Sequence, residues 1–514
     1  MSNEANLIGL LAGAEAKAAA IGSVEAAALS FGALRLQVER SVETLNALGI
    51  GRGDRVGIVM PNGPAMASAF LGVAAAATAC PLNPAFREEE FAFYLADLRA
   101  KALLVERGSM SAAIGVARRM GIRLLEAVSD GSAAGSLRIV AADGSGGAPA
   151  AERGPAAAGD VALILHTSGT TARPKIVPLT HANLHASARN IAATLRLDPD
   201  DRQMNVMPLF HIHGLVAGLL APLSAGSSVV CTPGFNALKF FAWLAECRPT
   251  WMTAVPTMHQ AVLARGERDA QRASAGRLRL LRSSSAAMPP QAMARLEALF
   301  DAPLIEAYGM TEASHQMASN PLPPGRRRAG TVGTAAGVEL AIMDEAGRLL
   351  AAGSTGEIVI RGPGVTAGYE NNPQANAGAF VDGWFRTGDQ GVIDGDGYLS
   401  INGRLKEIIN RGGEKISPRE VDEVLMDHPA VAQVVTFALP HDSLGEDVGA
   451  AVVLHAGETT SERELRGFVG SRLADFKVPR RIVFVDEIPK GPTGKLQRIG
   501  LAARLGLAPA GQVG

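Results

Sequence analysis

Short apolar runs alternate with longer alanine- and leucine-rich stretches along the chain as far as about Gly325. Runs such as DRVGIVM, VALILHT and SSVVCTP have the length of buried strands, and stretches such as ASAFLGVAAAATA and FFAWLAEC have the length of helices. Because strands and helices alternate, the pattern predicts α/β layers with largely parallel sheets.

The pattern changes twice after Gly325. Valine, isoleucine and glycine first recur in short runs such as GEIVIRG and QGVIDGDGYLSING, which predicts a β-rich subdomain. After Gly403, a hairpin-like opening leads into the amphipathic segment SPREVDEVLM, a predicted helix that Ser417 would cap. We therefore place a domain boundary at residues 404–406.

Length and charge narrow the class of protein. The 514 residues are too many for one core of ordinary size, so two or more domains are expected. Lysine and arginine total 49 against 50 acidic residues, and this balance provides no field that would gather nucleic acid. No apolar stretch reaches the roughly 20 residues that span a bilayer, and the N-terminus lacks a basic leader segment. We expect a cytoplasmic protein without a nucleic-acid or membrane partner.

The segment LILHTSGTTARPKIV concentrates hydroxyls, glycine and a lysine directly after an apolar run. A polyphosphate needs these groups: backbone N–H and hydroxyl donors, a backbone that can approach closely, and a cation. The spacing does not fit the GxxxxGK[ST] pattern, so it is not a Walker-type loop. Taken alone, the segment fits a polar surface turn equally well.

A second segment, EAYGMTEASHQ, offers an aromatic face at Tyr308, a hydroxyl at Thr311 and a carboxylate at Glu312. An aromatic ring can stack on a base, and a carboxylate oxygen suits Mg²⁺. The plainer reading is a tyrosine that packs in the core and a glutamate that faces solvent.

Two later segments add a possible ribose contact and a lysine. Asp389 is predicted to lie in a glycine turn where its carboxylate could accept both ribose hydroxyls, with Arg404 as a second contact. Asp-Gly pairs in the same segment are also turn formers in their own right. Near the C-terminus, PKGPTGKLQR places Lys495 on a glycine-rich loop, where a lysine is usually only solvated.

In this order, the four segments resemble the motifs of the adenylate-forming superfamily, which includes acyl-CoA synthetases, adenylation domains of peptide synthetases and firefly luciferase. The resemblance covers nearly the whole chain. It implies an α/β fold in which residues 1–403 form a large N-terminal domain of stacked α/β subdomains plus a distorted β-barrel. Residues 404–406 would be a hinge, and residues 407–514 would form a small mobile α+β C-terminal domain. It also implies ATP, Mg²⁺, coenzyme A as cosubstrate, and a small carboxylic acid. The oligomeric state stays open between monomer and homodimer.

The resemblance also implies a nucleotide site. The loop around the β- and γ-phosphates would comprise Thr167, Ser168, Gly169, Thr170, Thr171 and Lys175. Tyr308 would stack on adenine, Thr311 would bind the α-phosphate, and Glu312 would bind magnesium. Asp389 and Arg404 would hold the ribose.

The C-terminal part would supply one residue group for each half-reaction. Lys495 would bridge phosphate and carboxylate oxygens during adenylation, and Lys406 would be the hinge residue. Gly413 and Lys415 match a loop that serves the thioester step. With Thr311, Glu312 and His211, Lys495 completes the set of catalytic candidates.

The substrate pocket is predicted to be polar. PLFHIHGL is expected to place His211 and His213 on one face of a strand or loop end. FHIHGL, LRSSSAAM and TEASHQ bring histidines, serines and Arg282 next to the motifs, and a fatty-acid tunnel would leave each such group unpaired at roughly 1–3 kcal/mol. The same segments look most like those of oxalate–CoA ligases, with malonate–CoA ligases next. The candidates for a second carboxylate of the acid are His211, His213, Ser283, Ser284, Ser285 and His315.

Two other functions stay open from the sequence. The chain could be a nucleotide-binding scaffold without turnover, although the retained lysines and carboxylates of the motifs argue against this. It could also be an adenylation domain that loads a carrier protein, although no carrier follows Lys495.

Overall fold

The computed structural model of the chain describes residues 5–167, 174–266, 278–489 and 497–507. The strands as far as residue 335 are β1 (Ala19–Gly22), β2 (Leu29–Ser30), β3 (Arg55–Val59), β4 (Thr78–Pro81), β5 (Ala102–Glu106), β6 (Arg123–Ser129), β7 (Leu137–Ala141), β8 (Val161–His166), β9 (Ile176–Thr180), β10 (Arg202–Asn205), β11 (Ser228–Cys231), β12 (Trp251–Ala254), β13 (Leu280–Ser283), β14 (Leu304–Met310), β15 (His315–Ser319) and β16 (Thr334–Ala335). The later strands are β17 (Glu339–Met343), β18 (Thr355–Arg361), β19 (Phe380–Val381), β20 (Trp384–Ile393), β21 (Leu399–Arg404), β22 (Ile409–Arg411), β23 (Glu414–Ile416), β24 (Val431–His441), β25 (Gly445–Leu454) and β26 (Arg481–Phe484).

The α-helices within the described residues are α1 (Leu7–Ala12), α2 (Phe31–Ala47), α3 (Pro64–Ala76), α4 (Glu88–Asp97), α5 (Ala112–Arg119), α6 (His181–Thr194), α7 (Ala221–Ser224), α8 (Phe240–Cys247), α9 (Pro256–Gly266), α10 (Pro290–Phe300), α11 (Pro373–Ala379), α12 (Pro418–Met426), α13 (Glu462–Gly470) and α14 (Leu501–Arg504). A π-helix covers His213–Leu220, and 3₁₀ helices cover Thr311–Ala313, Leu405–Glu407 and Asp475–Lys477. No helix in these ranges is both long and apolar enough to cross a membrane.

The chain divides into two compact units, of which the first comprises Met1–Glu339 and Ile360–Gly383. This unit holds a seven-stranded sheet of order β7-β6-β5-β3-β4-β8-β9 and a nine-stranded sheet of order β16-β15-β14-β13-β12-β10-β11-β1-β2. The central pairs of both sheets are parallel, and antiparallel pairs lie toward their edges. The predicted α/β layers with largely parallel sheets are therefore confirmed.

Helix α3 illustrates how apolar sequence builds this core. It begins at Pro64, whose missing N–H costs nothing in the first helical turn. Every residue from Met66 to Ala76 is buried, as expected for a helix that is apolar on all sides. The three cysteines, Cys80, Cys231 and Cys247, are also buried and free.

The second compact unit comprises Leu340–Val359 and Trp384–Gly514. Strands β20 and β21 form an antiparallel pair beside β18, which agrees with the predicted β-rich subdomain. A further sheet has the order β23-β22-β25-β24, with β26 parallel to β25. The predicted boundary at residues 404–406 lies inside this unit and stays a prediction.

Helix α12 has the predicted cap and apolar face. The Ser417 hydroxyl accepts a hydrogen bond from the Glu420 N–H at 3.4 Å, and Pro418 is the first helical residue. Val421 and Leu425 are fully buried in the core of the β22–β25 sheet. The β22–β23 hairpin that precedes the helix is the predicted hairpin-like opening.

Candidate active site

Thr167 and Lys175 stand at the two ends of the predicted phosphate loop, on the hairpin of β8 and β9. His166 and Ile176 are the last paired residues of that hairpin. Beyond them, the Thr167 N–H donates to the Lys175 carbonyl at 2.9 Å, and the Lys175 N–H donates to the Thr167 hydroxyl at 3.3 Å. Ser168, Gly169, Thr170 and Thr171 lie outside the described residues. The described ends of the loop are thus joined by two hydrogen bonds.

A tyrosine that the sequence analysis missed connects the loop lysine to the predicted magnesium ligand. Lys175 Nζ lies 4.2 Å from the centroid of the Tyr369 ring, close enough for a cation–π interaction. The Tyr369 hydroxyl donates to Glu312 Oε1 at 2.8 Å. The Glu312 backbone carbonyl accepts from the Thr366 N–H at 2.7 Å, which fixes the backbone of the glutamate as well. Lys175 and Glu312 therefore contact the same tyrosine, one at the ring face and the other at the hydroxyl.

Tyr308 and Thr311 flank the end of β14. Tyr308 is mostly buried, and Thr311 opens the short 3₁₀ helix that carries Glu312. Between them, a Cβ on Gly309 would lie 1.8 Å from the His315 carbonyl oxygen, so no larger residue fits without moving β15. The close packing of Gly309 against His315 fixes the backbone between Tyr308, the adenine candidate, and Thr311, the α-phosphate candidate.

His213, Ser285 and His315, three of the predicted substrate residues, meet in a buried polar cluster. His213 Nδ1 lies 3.1 Å from Ser285 Oγ, and its Nε2 lies 2.6 Å from Thr253 Oγ1. The His213 and His315 rings stack with centroids 4.7 Å apart. The pKa of His213 lies well below its usual range because burial disfavours the cation and because His315 and Arg282 add positive charge beside it.

The backbone around His213 corrects one expectation. The alternation in FHIHGL indicated a strand or loop end with His211 and His213 on one face. The structure instead begins a π-helix at His213, with the His211 carbonyl accepting from the Leu215 N–H at 3.0 Å. His213 is consequently fully buried, whereas His211 is only partly buried. A π-helix is a rare form that simple periodicity does not reveal.

Arg282 on β13 is the buried cation of the cluster, with no solvent exposure. One terminal nitrogen, Nη1, donates to Thr253 Oγ1 at 3.3 Å and contacts His315 Nε2 at 3.2 Å. The other, Nη2, donates to Gln316 Oε1 at 3.2 Å. Within the described ranges none of its partners is a carboxylate, and burial lowers the pKa of the guanidinium to about 9.

Further buried polar atoms, on Arg282 and the residues next to it in the chain and on His259 beside the Arg282 carbonyl, have no protein partner in the described part of the chain. These are the hydroxyls of Ser283 and Ser284, the Nε of Arg282, and the Nδ1 of His259, all buried. His259 also donates from Nε2 to the Arg282 carbonyl at 3.0 Å, and burial lowers the pKa of its imidazole to about 4. Buried polar groups usually have a partner, so a ligand or ordered water is expected here.

In the second compact unit, Asp389 and Arg404, the two predicted ribose contacts, pair with each other. They face each other in the β20–β21 register, and Arg404 Nε lies 2.8 Å from Asp389 Oδ1. The structure corrects the predicted glycine turn: Asp389 lies within strand β20, and it is the preceding Gly388 that has a positive φ of 73°. The carboxylate is held by the strand and is nearly buried.

The remaining C-terminal candidates lie on separate short elements. Lys406 is in the 3₁₀ helix Leu405–Glu407, and Lys415 is exposed on β23. Gly413 sits at the tip of the β22–β23 hairpin with a φ of 101°, a conformation that favours glycine. Lys495 lies outside the described residues.

Comparison with known proteins gives the family. The AMP-binding enzyme profile matches residues 12–370, and the profile of the AMP-binding enzyme C-terminal domain matches residues 420–495. The chain belongs to the AMP-binding enzyme family. It is 45% identical to an oxalate–CoA ligase of Arabidopsis thaliana over 90% of each chain, and 36% identical to a sulfoacetate–CoA ligase of Cupriavidus necator over 92% of each.

Among solved structures, ATP-bound MatB from Rhodopseudomonas palustris matches with a TM-score of 0.85 and 30% identity, over 96% of this chain and 97% of that one. The similarity confirms the predicted fold class of this AMP-binding enzyme, with a large N-terminal and a small C-terminal domain. The relatives also confirm the predicted enzyme class, an acid–thiol ligase.

Proposed function

We propose that the chain uses ATP to activate oxalate as an acyl-adenylate and then transfers the oxalyl group to coenzyme A. Malonate, one methylene longer, is the second choice. The observation that carries the choice of acid is the complete burial of Arg282 among neutral or histidine partners.

A buried guanidinium without a carboxylate partner is costly. Removing an ion from water costs several kcal/mol even after the protein relaxes, and a close counter-ion offsets that cost. A substrate with one carboxylate uses it to attack ATP, so it has no negative group left for Arg282. A dicarboxylate has a second carboxylate, which Arg282 can bind through two N–H groups.

The polar atoms beside Arg282 support the same choice. The unpartnered hydroxyls of Ser283 and Ser284 can each donate to a carboxylate oxygen. A methylene chain in place of that carboxylate would leave each hydroxyl without a hydrogen-bond partner, at a cost of about 1–3 kcal/mol each. The names of the oxalate– and sulfoacetate–CoA ligases agree, since both acids carry two anionic groups.

In the first half-reaction, a carboxylate oxygen of oxalate attacks the α-phosphorus of ATP, and diphosphate leaves. Lys175 and the rest of the loop would bind the β- and γ-phosphates, and Thr311 the α-phosphate. We assign to Lys495 the bridge between phosphate and carboxylate oxygens. These contacts place two anions together, which accounts for the number of donors and cations in the motifs.

Glu312 fits a magnesium ion that is bound partly through the nucleotide. Mg²⁺ is commonly held by one or two carboxylates together with phosphate oxygens. Glu312 provides one such carboxylate, whose Oε1 is held by Tyr369, so that Oε2 is oriented for a cation. When bound, the ion would neutralise charge on the triphosphate.

In the second half-reaction, the sulfur of coenzyme A attacks the acyl carbon, a thioester bond forms, and AMP leaves. We assign this step to the turn around Gly413 and to Lys415, with Lys406 as the hinge residue. Asp389 and Arg404 would hold the ribose through both steps.

The proposal is tested by diphosphate release with a panel of acids. Purified enzyme, ATP and Mg²⁺ would be assayed with oxalate, malonate, sulfoacetate, acetate and octanoate. We expect oxalate to give the highest kcat/KM and malonate the next highest. Preference for an acid of more than about six carbons would contradict the polar pocket. ATP binding without diphosphate release for any acid would instead favour the non-catalytic scaffold.

A further inference from the structure

His166, the last residue of β8, contacts a carboxylate that has no part in the proposed chemistry. His166 Nε2 lies 3.1 Å from Asp97 Oδ2, and the two side chains are only 8% and 11% exposed. The Tyr94 ring meets the imidazole edge-on, with centroids 4.7 Å apart. The imidazole is therefore held on two sides, directly before the phosphate loop begins.

The position of Asp97 on its own helix is unfavourable without a partner. It is the last residue of α4, where the helix dipole disfavours negative charge, and the last turn contains no basic residue. The acidic residues of the first turn, Glu88 to Glu90, have the favourable placement. Asp97 is thus better explained by its contact with His166 than by the stability of α4.

The contact between Asp97 and His166 is connected to the phosphate loop through the β8–β9 hairpin. His166 is paired with Ile176, and the next residue on each side, Thr167 and Lys175, closes the base of the loop with two hydrogen bonds. We infer that Asp97 and His166 are positioning residues, which hold the base of the loop in the arrangement that binds the β- and γ-phosphates of ATP. This inference rests on the proposed ATP-dependent function.

A purely electrostatic role for Asp97 would change the affinity for ATP in the opposite direction from a positioning role, so an experiment can distinguish the two roles. Asp97 lines a cavity of about 550 Å³ together with Arg99, Lys175 and Glu370. Glu370 is neutralised by Arg55, which contacts both of its oxygens at 2.7 Å. Removing the charge of Asp97 would make the cavity more positive, so a purely Coulombic role predicts tighter triphosphate binding. A positioning role predicts weaker binding.

The experiment measures ATP and AMP affinity by titration calorimetry for the full-length wild type, Asp97→Asn, His166→Phe and His166→Gln. We expect ATP to bind about tenfold more weakly to Asp97→Asn and His166→Phe, the usual effect of losing a hydrogen bond to a charged group. AMP lacks the β- and γ-phosphates, so its affinity should stay at the wild-type value. His166→Gln should fall between wild type and His166→Phe, because its amide can still donate to Asp97.

Glu126→Gln is the matched control. It removes a carboxylate from an ion pair elsewhere on the same sheet, Arg107 Nε to Glu126 Oε2 at 2.8 Å, away from the loop. Its ATP and AMP affinities should equal those of the wild type.

Three results would overturn the inference: tighter ATP binding in Asp97→Asn, unchanged ATP binding in His166→Phe, or an equal loss of ATP and AMP affinity in both. The AMP measurement also reports whether each variant is folded. Because neither titration needs an acid, failure of oxalate activation and failure of the positioning pair are separate outcomes.

Discussion

Lys175 and Glu312 both contact Tyr369, with the lysine ammonium over the ring, 4.2 Å from its centroid, and the glutamate accepting the phenol hydrogen at 2.8 Å. The proposed phosphate cation and the proposed magnesium ligand thus contact the same side chain. Tyr369 comes from the segment 360–383, far along the chain from both, and this segment belongs to the same compact unit.

Replacing Tyr369 by phenylalanine separates the two contacts. The ring and its cation–π contact remain, whereas Glu312 loses its hydrogen bond. We expect the Mg²⁺ concentration for half-maximal activity to rise about tenfold, since a hydrogen bond to a charged group contributes about 1.5–3 kcal/mol. Tyr369→Leu removes both contacts and should also raise KM for ATP. Equal Mg²⁺ requirements in wild type and Tyr369→Phe would exclude this role of the hydroxyl.

Arg282→Gln should strongly reduce the use of oxalate while sparing ATP binding. Losing one partner of a buried charge pair typically costs 2 kcal/mol or more, so kcat/KM for oxalate should fall about 30-fold or further. In the absence of substrate the variant should unfold no more easily than the wild type, because the protein supplies no carboxylate that would be left unpaired.

Arg279→Gln provides the contrasting control beside the same strand. Arg279 pairs with both oxygens of buried Asp201, at 2.7 and 2.6 Å. Its loss should lower the free energy of unfolding by about 1.5–3 kcal/mol, the range for a hydrogen bond to a charged group, and leave KM for oxalate unchanged. If the two variants behaved alike in denaturant melts and in oxalate kinetics, Arg282 would be structural.

Stability should fall as the pH drops below about 6.5, partly because of His259. Burial lowers the pKa of His259 from 6.5 to about 4, so between these values the unfolded chain takes up a proton that the folded chain does not. The favourable neutral form therefore contributes stability above pH 6.5, and this contribution is lost toward pH 4. His259→Gln should reduce the slope of unfolding free energy against pH by up to about 1.4 kcal/mol per unit. Parallel slopes for variant and wild type in urea melts from pH 4.5 to 8 would refute this.

Lys495→Ala and Lys415→Ala should affect opposite halves of the reaction. During adenylation, negative charge moves onto the leaving diphosphate, so loss of Lys495 should raise the activation free energy of that step by about 3 kcal/mol and leave thioester formation from a supplied acyl-adenylate nearly intact. Lys415→Ala should show the reverse. An equal loss of both halves in Lys495→Ala would argue against the assignment.

Patterns among residues close together in the sequence predicted the features of the fold that depend on local structure. The cap and apolar face of α12, the β22–β23 hairpin and the alternating layers all follow from residues a few positions apart. Asp389 and Arg404, predicted as two contacts to one ribose, are likewise neighbours because a single hairpin brings them together.

Contacts between distant segments were harder to predict. Tyr369 reaches Glu312 and Lys175 only after the chain returns to the first compact unit, and Asp97 meets His166 across 69 positions. The burial of Arg282 depends on its place in a nine-stranded sheet, and the π-helix at His213 has no simple period. Local pattern cannot encode these relationships, because tertiary packing decides them.

A competition experiment tests the central claim most directly. Enzyme, ATP, Mg²⁺ and coenzyme A would be supplied with equal concentrations of oxalate, malonate, acetate and octanoate, and the initial coenzyme A thioesters would be quantified by mass spectrometry. Their ratio gives the ratio of kcat/KM values. A buried Arg282 that binds a second carboxylate predicts oxalyl-CoA as the main product and malonyl-CoA as the next. Octanoyl-CoA as the main product would contradict the account.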